Sequence, residues 1–234
     1  MRLYSKILIV FFALILFHCN SSDDTNSGGN GGGGQAQVEA TYRITFSPNF
    51  TEMSHPTDYP NNASFIKMMV VAHNANTSVF RVGQTASAGL KAYAEDGDTS
   101  PLELELVSVG DANSANVQIG MDIGPTGSNF VDIVVTPSTT LISFISKLSP
   151  SPDWFVGFDS FNLVNPDNTL VESFETTLFG YDAGTDSGVT YTSPDSPSNE
   201  PVSQVSGDPF VHPQSGAIRR FGTFNVERTD SGDN

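Results

Sequence analysis

Ser149-Pro150-Ser151-Pro152-Asp153-Trp154-Phe155-Val156-Gly157-Phe158 is the stretch whose reading decides the fold. Two prolines fix the backbone of a turn. The residues that follow are apolar on both faces, with Trp154, Val156 and Phe158 on one side and Phe155 and Phe161 on the other. A run of that kind is a central strand covered on both sides. Its first carboxylate, Asp153, therefore stands where a free charge is costly.

A second loop, 29 residues further on, offers a reason for Asp153 to be there: Asp182-Ala183-Gly184-Thr185-Asp186-Ser187-Gly188. Gly184 and Gly188 allow positive φ, so the backbone can curl and aim Asp182 and Asp186 inward. Like charges about 4 Å apart repel by about 4 kcal/mol at an effective dielectric near 20, and a divalent cation turns that cost into attraction. Calcium takes about six to eight oxygens, which carboxylates, carbonyls and water supply. Asp and Gly are also common turn formers, so from pattern alone the loop is either a cation site or only a turn. It is not an EF-hand, because Gly184 and Ser193 stand where that motif needs oxygen ligands.

Outward from these loops, the chain alternates short apolar runs with turn residues. Val38, Ala40, Tyr42, Ile44 and Phe46 have period two; Phe65–Ala72, Val117–Ile123, Phe130–Thr136 and Thr140–Leu148 are further runs. Leu102, Leu104 and Leu106 alternate with Glu103 and Glu105, which predicts a strand with one core face. Leu170–Phe179, Val189–Tyr191 and Phe221–Arg228 bring the expected strands to about ten. Thr85–Glu95 is the one expected helix, capped by Ser87 and ended by Gly97. Ser193–Gly216 reads as a surface excursion. The expected class is all-β, an antiparallel β-sandwich with one short helix.

The 234 residues, 38% hydrophobic with 17 Phe, suffice for one core. Residues 1–19 read as an export signal: Arg2 and Lys6 precede an apolar run too short to anchor stably in a bilayer. The run closes at Leu16-Phe17-His18-Cys19, which is similar to a bacterial lipobox and makes Cys19, the only cysteine, the expected lipidation site. Acyl chains on a lipidated N-terminus give the two or more signals that stable anchoring needs. Residues 20–37 are a Ser/Asn/Gly tether with a reach of roughly 25 Å. The globular domain is expected over 38–228, and 229–234 as a disordered acidic tail.

Loss of residues 1–18 would remove Arg2 and Lys6 and no acid, taking a formal charge of −16 two units further negative. That excludes nucleic acid as a natural partner, since phosphate neutralisation needs Lys and Arg. A hydrolase is poorly supported: there is no G-x-S-x-G elbow, no H-E-x-x-H and no reactive cysteine. It would gain support if His73 or His212 reached both a serine and a buried aspartate in a cleft. Glu95-Asp96-Gly97-Asp98 reads as a solvated turn, and Trp154 as core.

Pro150-Ser151-Pro152-Asp153-Trp154-Phe155-Val156-Gly157 paired at this distance with Asp182-Ala183-Gly184-Thr185-Asp186-Ser187-Gly188 and Ser193-Pro194 closely resembles the spondin domain family of the F-spondin/mindin type. His55-Pro56, Ala72-His73 and the Ala86–Gly97 segment extend the resemblance more loosely over about residues 38–228. What the resemblance implies is a C2-like antiparallel β-sandwich with one Ca2+ held by Asp153, Asp182 and Asp186. It also implies a secreted, non-enzymatic adhesion domain engaging an extracellular protein or glycan. C2-type calcium-dependent phospholipid binding is the alternative partner class. The chain departs from the animal pattern in lacking a cysteine near Leu163–Asn165 and any thrombospondin-type repeat, and in having Tyr181 where Trp usually precedes the aspartate.

Overall fold

The computed structural model of the chain describes residues 39–108 and 115–230. The expected signal, Cys19 and the tether lie outside the described residues, as do 231–234 of the expected tail. Thr229, which the sequence pattern places in that tail, instead donates its N–H to Thr41 O at 2.8 Å and extends the pairing of Tyr42 with Arg228 by one residue.

Among the described residues, ten strands and two helices follow in order: β1 Ala40–Pro48, β2 Ser64–His73, α1 Ala88–Asp96, α2 Ser100–Ser108, β3 Ala115–Ile119, β4 Asn129–Val135, β5 Leu141–Ser149, β6 Trp154–Asn162, β7 Ser173–Thr177, β8 Phe179–Asp182, β9 Ser203–Gln204 and β10 Gly222–Arg228. One sheet has the order β4-β1-β10-β7, the other β3-β2-β5-β6-β8-β9. Every pairing is antiparallel. The all-β sandwich expected from the strand pattern is the observed architecture.

The two sheets face each other across one apolar cluster. Tyr42, Ile44 and Phe46 of β1 meet Phe65 and Val70 of β2, Phe144 of β5 and Trp154 and Val156 of β6 there. Period two then places Met69, Val71, Ile145 and Phe155 on the opposite face of the larger sheet, where α1 and α2 cover them with Leu90, Tyr93, Leu102 and Leu106. The larger sheet is thus buried on both sides, as the doubly apolar β6 run requires. Phe161 departs from the expected alternation. The β5–β6 register shifts between Ile142 and Phe144, Ser160 has φ 62°, and Phe161 stacks on Phe174 against the inter-sheet core.

Residues 100–108 are a helix, not the expected strand, so the sandwich carries two helices. Leu102 and Leu106 are buried while Leu104 is 68% exposed, a pattern of one turn per four residues that period two also fits at its ends. Leu and Glu are strong helix formers and Glu is a poor strand former, and Pro101 sits in the first turn where its missing N–H costs nothing. Asp98 Oδ1 accepts the Ser100 N–H at 3.0 Å. The two helices touch closely because Gly89 has no side chain: a Cβ there would lie 2.5 Å from Leu102 Cα.

For α1 the expected ends hold. Ser87 Oγ accepts the Leu90 N–H at 3.0 Å, and Gly97 closes the helix at φ 73°. Val189–Tyr191 is not a strand. Ser193 Oγ accepts both Val189 N–H (3.1 Å) and Thr190 N–H (2.9 Å), taking donors a ladder would use. Tyr191 instead closes the end of the core against Phe50, Trp154 and Phe210. Nor is 193–216 only surface: β9 pairs with β8, and Val202, Val205 and Phe210 are buried.

Candidate functional site

The β5–β6 turn is tied by Ser151, whose Oγ donates to Leu148 O at 2.5 Å and accepts the Trp154 N–H at 3.1 Å. Asp153 is thereby presented at the head of β6 with 0% exposure. Pairing of β6 with β8 sets Trp154 opposite Asp182, so the chain leaves β8 directly beside Asp153. The loop that follows wraps its backbone onto the buried carboxylate. Asp153 Oδ2 accepts from Thr185 N (2.7 Å), Thr185 Oγ1 (3.2 Å) and Asp186 N (3.1 Å).

Asp182 and Asp186 stand in the same loop and are held in parallel ways. Asp182 Oδ1 accepts Gly184 N–H at 2.7 Å and its Oδ2 the Trp154 indole N–H at 3.3 Å. Asp186 Oδ1 accepts Gly188 N–H at 2.7 Å and its Oδ2 the Ser196 N–H at 3.2 Å. The glycines contribute differently. Gly184 has φ 75°, the left-handed conformation expected of it, and its position also leaves no room, since a Cβ would stand 2.1 Å from Glu200 O. Gly188 lacks positive φ; it is needed for space, because a Cβ would lie 2.7 Å from both Pro152 Cγ and Ser193 Cβ.

The electrostatics are strained. Burial, and then the neighbouring Asp182 charge, push the Asp153 carboxyl up to about 6 against the pull of its three hydrogen bonds. Burial also raises Asp182, with a further push from Asp186. Asp153 Oδ1 is buried with no hydrogen-bond partner, a state that costs about 1–3 kcal/mol, more when the group is charged. An oxygen of this kind beside two further carboxylates is what a hard cation would complete. As they stand, no group of three or more His, Cys, Asp or Glu side chains among the described residues is disposed to hold a metal ion.

Lys147 belongs to this neighbourhood and is absent from the candidates that the sequence offers, although a lysine inside the apolar β5 run is a signal for it. Its Nζ donates to Ala94 O at the end of α1 and to Ser151 O at 3.4 Å. Burial brings the ammonium down to about 8, while Asp153 is the first of the charges that hold it up. The α1 terminus, the turn that carries Asp153 and one buried positive charge are thus linked.

The Spondin_N family model matches residues 40–216. The chain belongs to the Spondin_N family. Human Spondin-2 is 33% identical over 186 residues, 76% of this chain and 56% of that protein. Mouse Spondin-1 is 30% identical over 203 residues, 81% of this chain and 25% of that protein. Spondin-1 of Xenopus laevis is 34% identical over 193 residues, 78% of this chain and 24% of that protein. The Spondin_N chain therefore spans about half or less of the length of these relatives. Its fold continues past the matched span, since β10 pairs with β1 from Pro48↔Gly222 to Tyr42↔Arg228.

The other residues singled out in the sequence take quieter places in the Spondin_N fold. Trp154 is core, in edge contact with Tyr191 and Phe210. His212 Nδ1 accepts the Gln214 N–H at 3.2 Å. Glu95 pairs with Lys91 and Asp98 caps α2, so 95–98 is a helix junction. His73 does reach a serine that reaches an aspartate: Nε2 lies 2.7 Å from Ser143 Oγ, which donates to Asp159 Oδ1 at 2.7 Å. The serine stands in the middle of this array and is 0% exposed, which is not the order in which a base activates a nucleophile.

Proposed function

We propose that the chain is a calcium-binding, non-enzymatic adhesion or ligand-binding domain that works outside the cytoplasm, anchored by lipid at Cys19 and held off the membrane by residues 20–37. The observation that carries the metal is Asp153 Oδ1, buried without a partner where the Asp182–Gly188 loop wraps over it. Asp153, Asp182 and Asp186 would hold Ca2+, with carbonyls and water completing its shell. The ion supplies positive charge to carboxylates that otherwise repel, so it is partly structural. At free calcium 100 times the dissociation constant it adds about 2.7 kcal/mol of stability.

Family membership supports the extracellular role, and the partner class is a protein or glycan. A C2-type bridge to phospholipid needs a coordination position open to the surface, and Asp153 and Asp186 at 0% and 5% exposure do not favour one. The test is thermal unfolding of the chain with calcium and with chelator. Calcium raises the melting temperature, and Asp186→Ala abolishes the rise; identical curves would refute the metal assignment. A calcium-dependent binding screen against glycans and extracellular proteins, with liposomes as the competing class, then identifies the partner.

A further inference from the structure

On the helical side of the larger sheet, a cleft of about 410 Å³ opens between the 76–81 segment, the start of α1, and α2. Val79, Phe80, Leu90, Leu102, Leu106 and Val202 line it, and all six are buried side chains that give it an apolar floor. Cavities that take small molecules run from about 300 to 1,000 Å³. This one is at the low end, so it suits a small molecule and not the surface of a folded partner.

The walls are held by the chain's own bonds. Gly83 N–H donates to Val202 O and Val202 N–H to Gln84 O, both at 2.8 Å, which fastens the Val202 segment to the approach to α1. Asp159 Oδ1 accepts Val79 N–H at 3.3 Å and its Oδ2 the Ser78 hydroxyl at 3.4 Å, which pins the other wall to β6. The contact of Gly89 with Leu102 sets the spacing of the two helices. The cleft is thus formed without a ligand, and an occupant needs no rearrangement of its walls.

The charge that lines it is unusual for this chain. Arg43, Lys67, Lys91 and Arg228 pair with carboxylates, Lys147 and Arg219 donate to carbonyls, and Arg220 lies over the Phe179 ring. Among the described Lys and Arg, Arg81 alone has no hydrogen bond, ion pair or ring contact within the chain, and it lines the cleft while remaining exposed. With 26 Asp and Glu against 10 Lys and Arg, a guanidinium left without an acid is the exception that needs a reason.

Two carboxylates stand against these walls, and both are engaged elsewhere. Glu105 Oε1 accepts Gly89 N–H at 2.7 Å and its Oε2 the Ser87 hydroxyl at 2.5 Å, which also closes the N-terminus of α1 to any outside anion. Asp159 takes Ser143 Oγ at 2.7 Å and Ser160 Oγ at 2.8 Å besides its bonds to the wall. The group free to meet a ligand's charge is therefore Arg81, whose planar fork matches a carboxylate. The floor beside it takes a hydrocarbon body.

We propose that this cleft binds a small carboxylate with an apolar body, of the size and chemistry of an N-acylated apolar amino acid. Arg81 holds the carboxylate, and Leu90, Leu102, Leu106 and Val202 receive the body. The site uses none of Asp153, Asp182 and Asp186, so it stands apart from the metal reading and its test needs no calcium.

The test titrates the full chain with N-acetyl-leucine and follows backbone amide shifts by NMR. Saturable shifts at Val79, Leu90 and Val202 are expected, with the β1–β10 pair unmoved. N-acetyl-leucinamide keeps the body and loses the charge; N-acetyl-glycine keeps the charge and loses the body. Each should bind about tenfold more weakly, and so should N-acetyl-leucine to Arg81→Gln, a substitution at an exposed side chain without partners. Absence of saturable shifts at the cleft, an affinity for the amide equal to that for the acid, or an Arg81→Gln titration identical to that of the unaltered chain overturns the proposal. Tighter binding of leucinamide, a cation with the same body, would give the ligand's charge to Glu105 and overturn it as well.

Discussion

Asp153 and Thr185 are joined by two hydrogen bonds: the threonine N–H reaches Asp153 Oδ2 at 2.7 Å and the hydroxyl at 3.2 Å, across 32 positions of sequence. These bonds seat the Asp182–Gly188 loop on the head of β6. They use one carboxylate oxygen and leave the other, Oδ1, buried and unpartnered. A loop tied down on the charge it would share with a metal makes calcium and fold stability one question.

That coupling has a pH signature. With no metal bound, the Asp153 carboxyl is held up at about 6, while an unfolded aspartate titrates at 3.8. Between those values the native chain binds more protons than the unfolded chain, so this group lowers stability as pH rises. The loss is complete above pH 6 and amounts to about 3 kcal/mol. Bound calcium offers the carboxylate an opposite charge and removes the penalty. Urea unfolding at pH 5 and pH 7.5 should therefore show calcium stabilisation growing toward the higher pH by about 1.4 kcal/mol, the part of that loss that falls above pH 5. Equal stabilisation at both values would take Asp153 out of the ion's shell.

His55 has the opposite dependence. Its ring stacks on Phe221 at 4.5 Å, and burial, then the Arg219 charge, bring its pKa down to about 4 from 6.5. The unfolded chain takes up this proton first, so stability is intact at neutral pH and declines as pH falls from 6.5 toward 4. His55→Phe should lose about 3 kcal/mol less than the unaltered chain over that interval. Parallel urea titrations at pH 7 and pH 4.5 measure it; equal losses in the two proteins would mean the ring is charged in the fold.

How far the sequence led depends on what each residue type says locally. Trp154, Val156 and Phe155 announced a strand covered on both faces, and the two sheets and the helical layer deliver both covers. The three aspartates of the candidate site were legible because turn chemistry puts Pro152, Gly184 and Gly188 beside them. The Leu102–Leu106 run was not, since alternate leucines satisfy a strand and a helix alike; the helix-forming Leu and Glu, Pro101 in the first turn and the close packing on Gly89 choose the helix. The partners of Lys147 (Ala94 O on α1 and Ser151 O in the following turn) and of His73 (Ser143 and, through it, Asp159) lie on other elements, at positions that no local pattern encodes.

Tyr93 tests how firmly α1 is fastened to the sheet near the site. Its hydroxyl donates to Lys67 O at 2.7 Å and accepts the Lys147 N–H at 3.0 Å, bridging the irregular β2–β5 register from the helix. Tyr93→Phe leaves a buried N–H without an acceptor and should cost about 1–3 kcal/mol in urea unfolding. Faster amide exchange at Lys147 than in the unaltered chain, with the β1–β10 pair unchanged, would place the loss at this bridge. An unchanged Lys147 amide would mean that something else accepts it.

Two glycines with the same backbone angle separate conformational strain from lack of space. Gly184 and Gly207 both have φ 75°, yet a Cβ at Gly207 meets nothing within 4 Å, while one at Gly184 would stand 2.1 Å from Glu200 O. Gly207→Ala bears only the left-handed penalty of about 1 kcal/mol. Gly184→Ala must in addition push the Glu200–Pro201 backbone away, which breaks the Glu200 N–H bond to Gly184 O at 2.7 Å and loosens the loop over Asp153. It should cost at least about 3 kcal/mol, beyond the range for backbone strain alone. Denaturant midpoints of the two variants, each with and without calcium, read both effects. Gly207→Ala keeps the full calcium response, and Gly184→Ala loses most of it. A Gly184→Ala protein as stable and as responsive as Gly207→Ala would mean that the loop does not need its close approach to Glu200 in order to hold the ion.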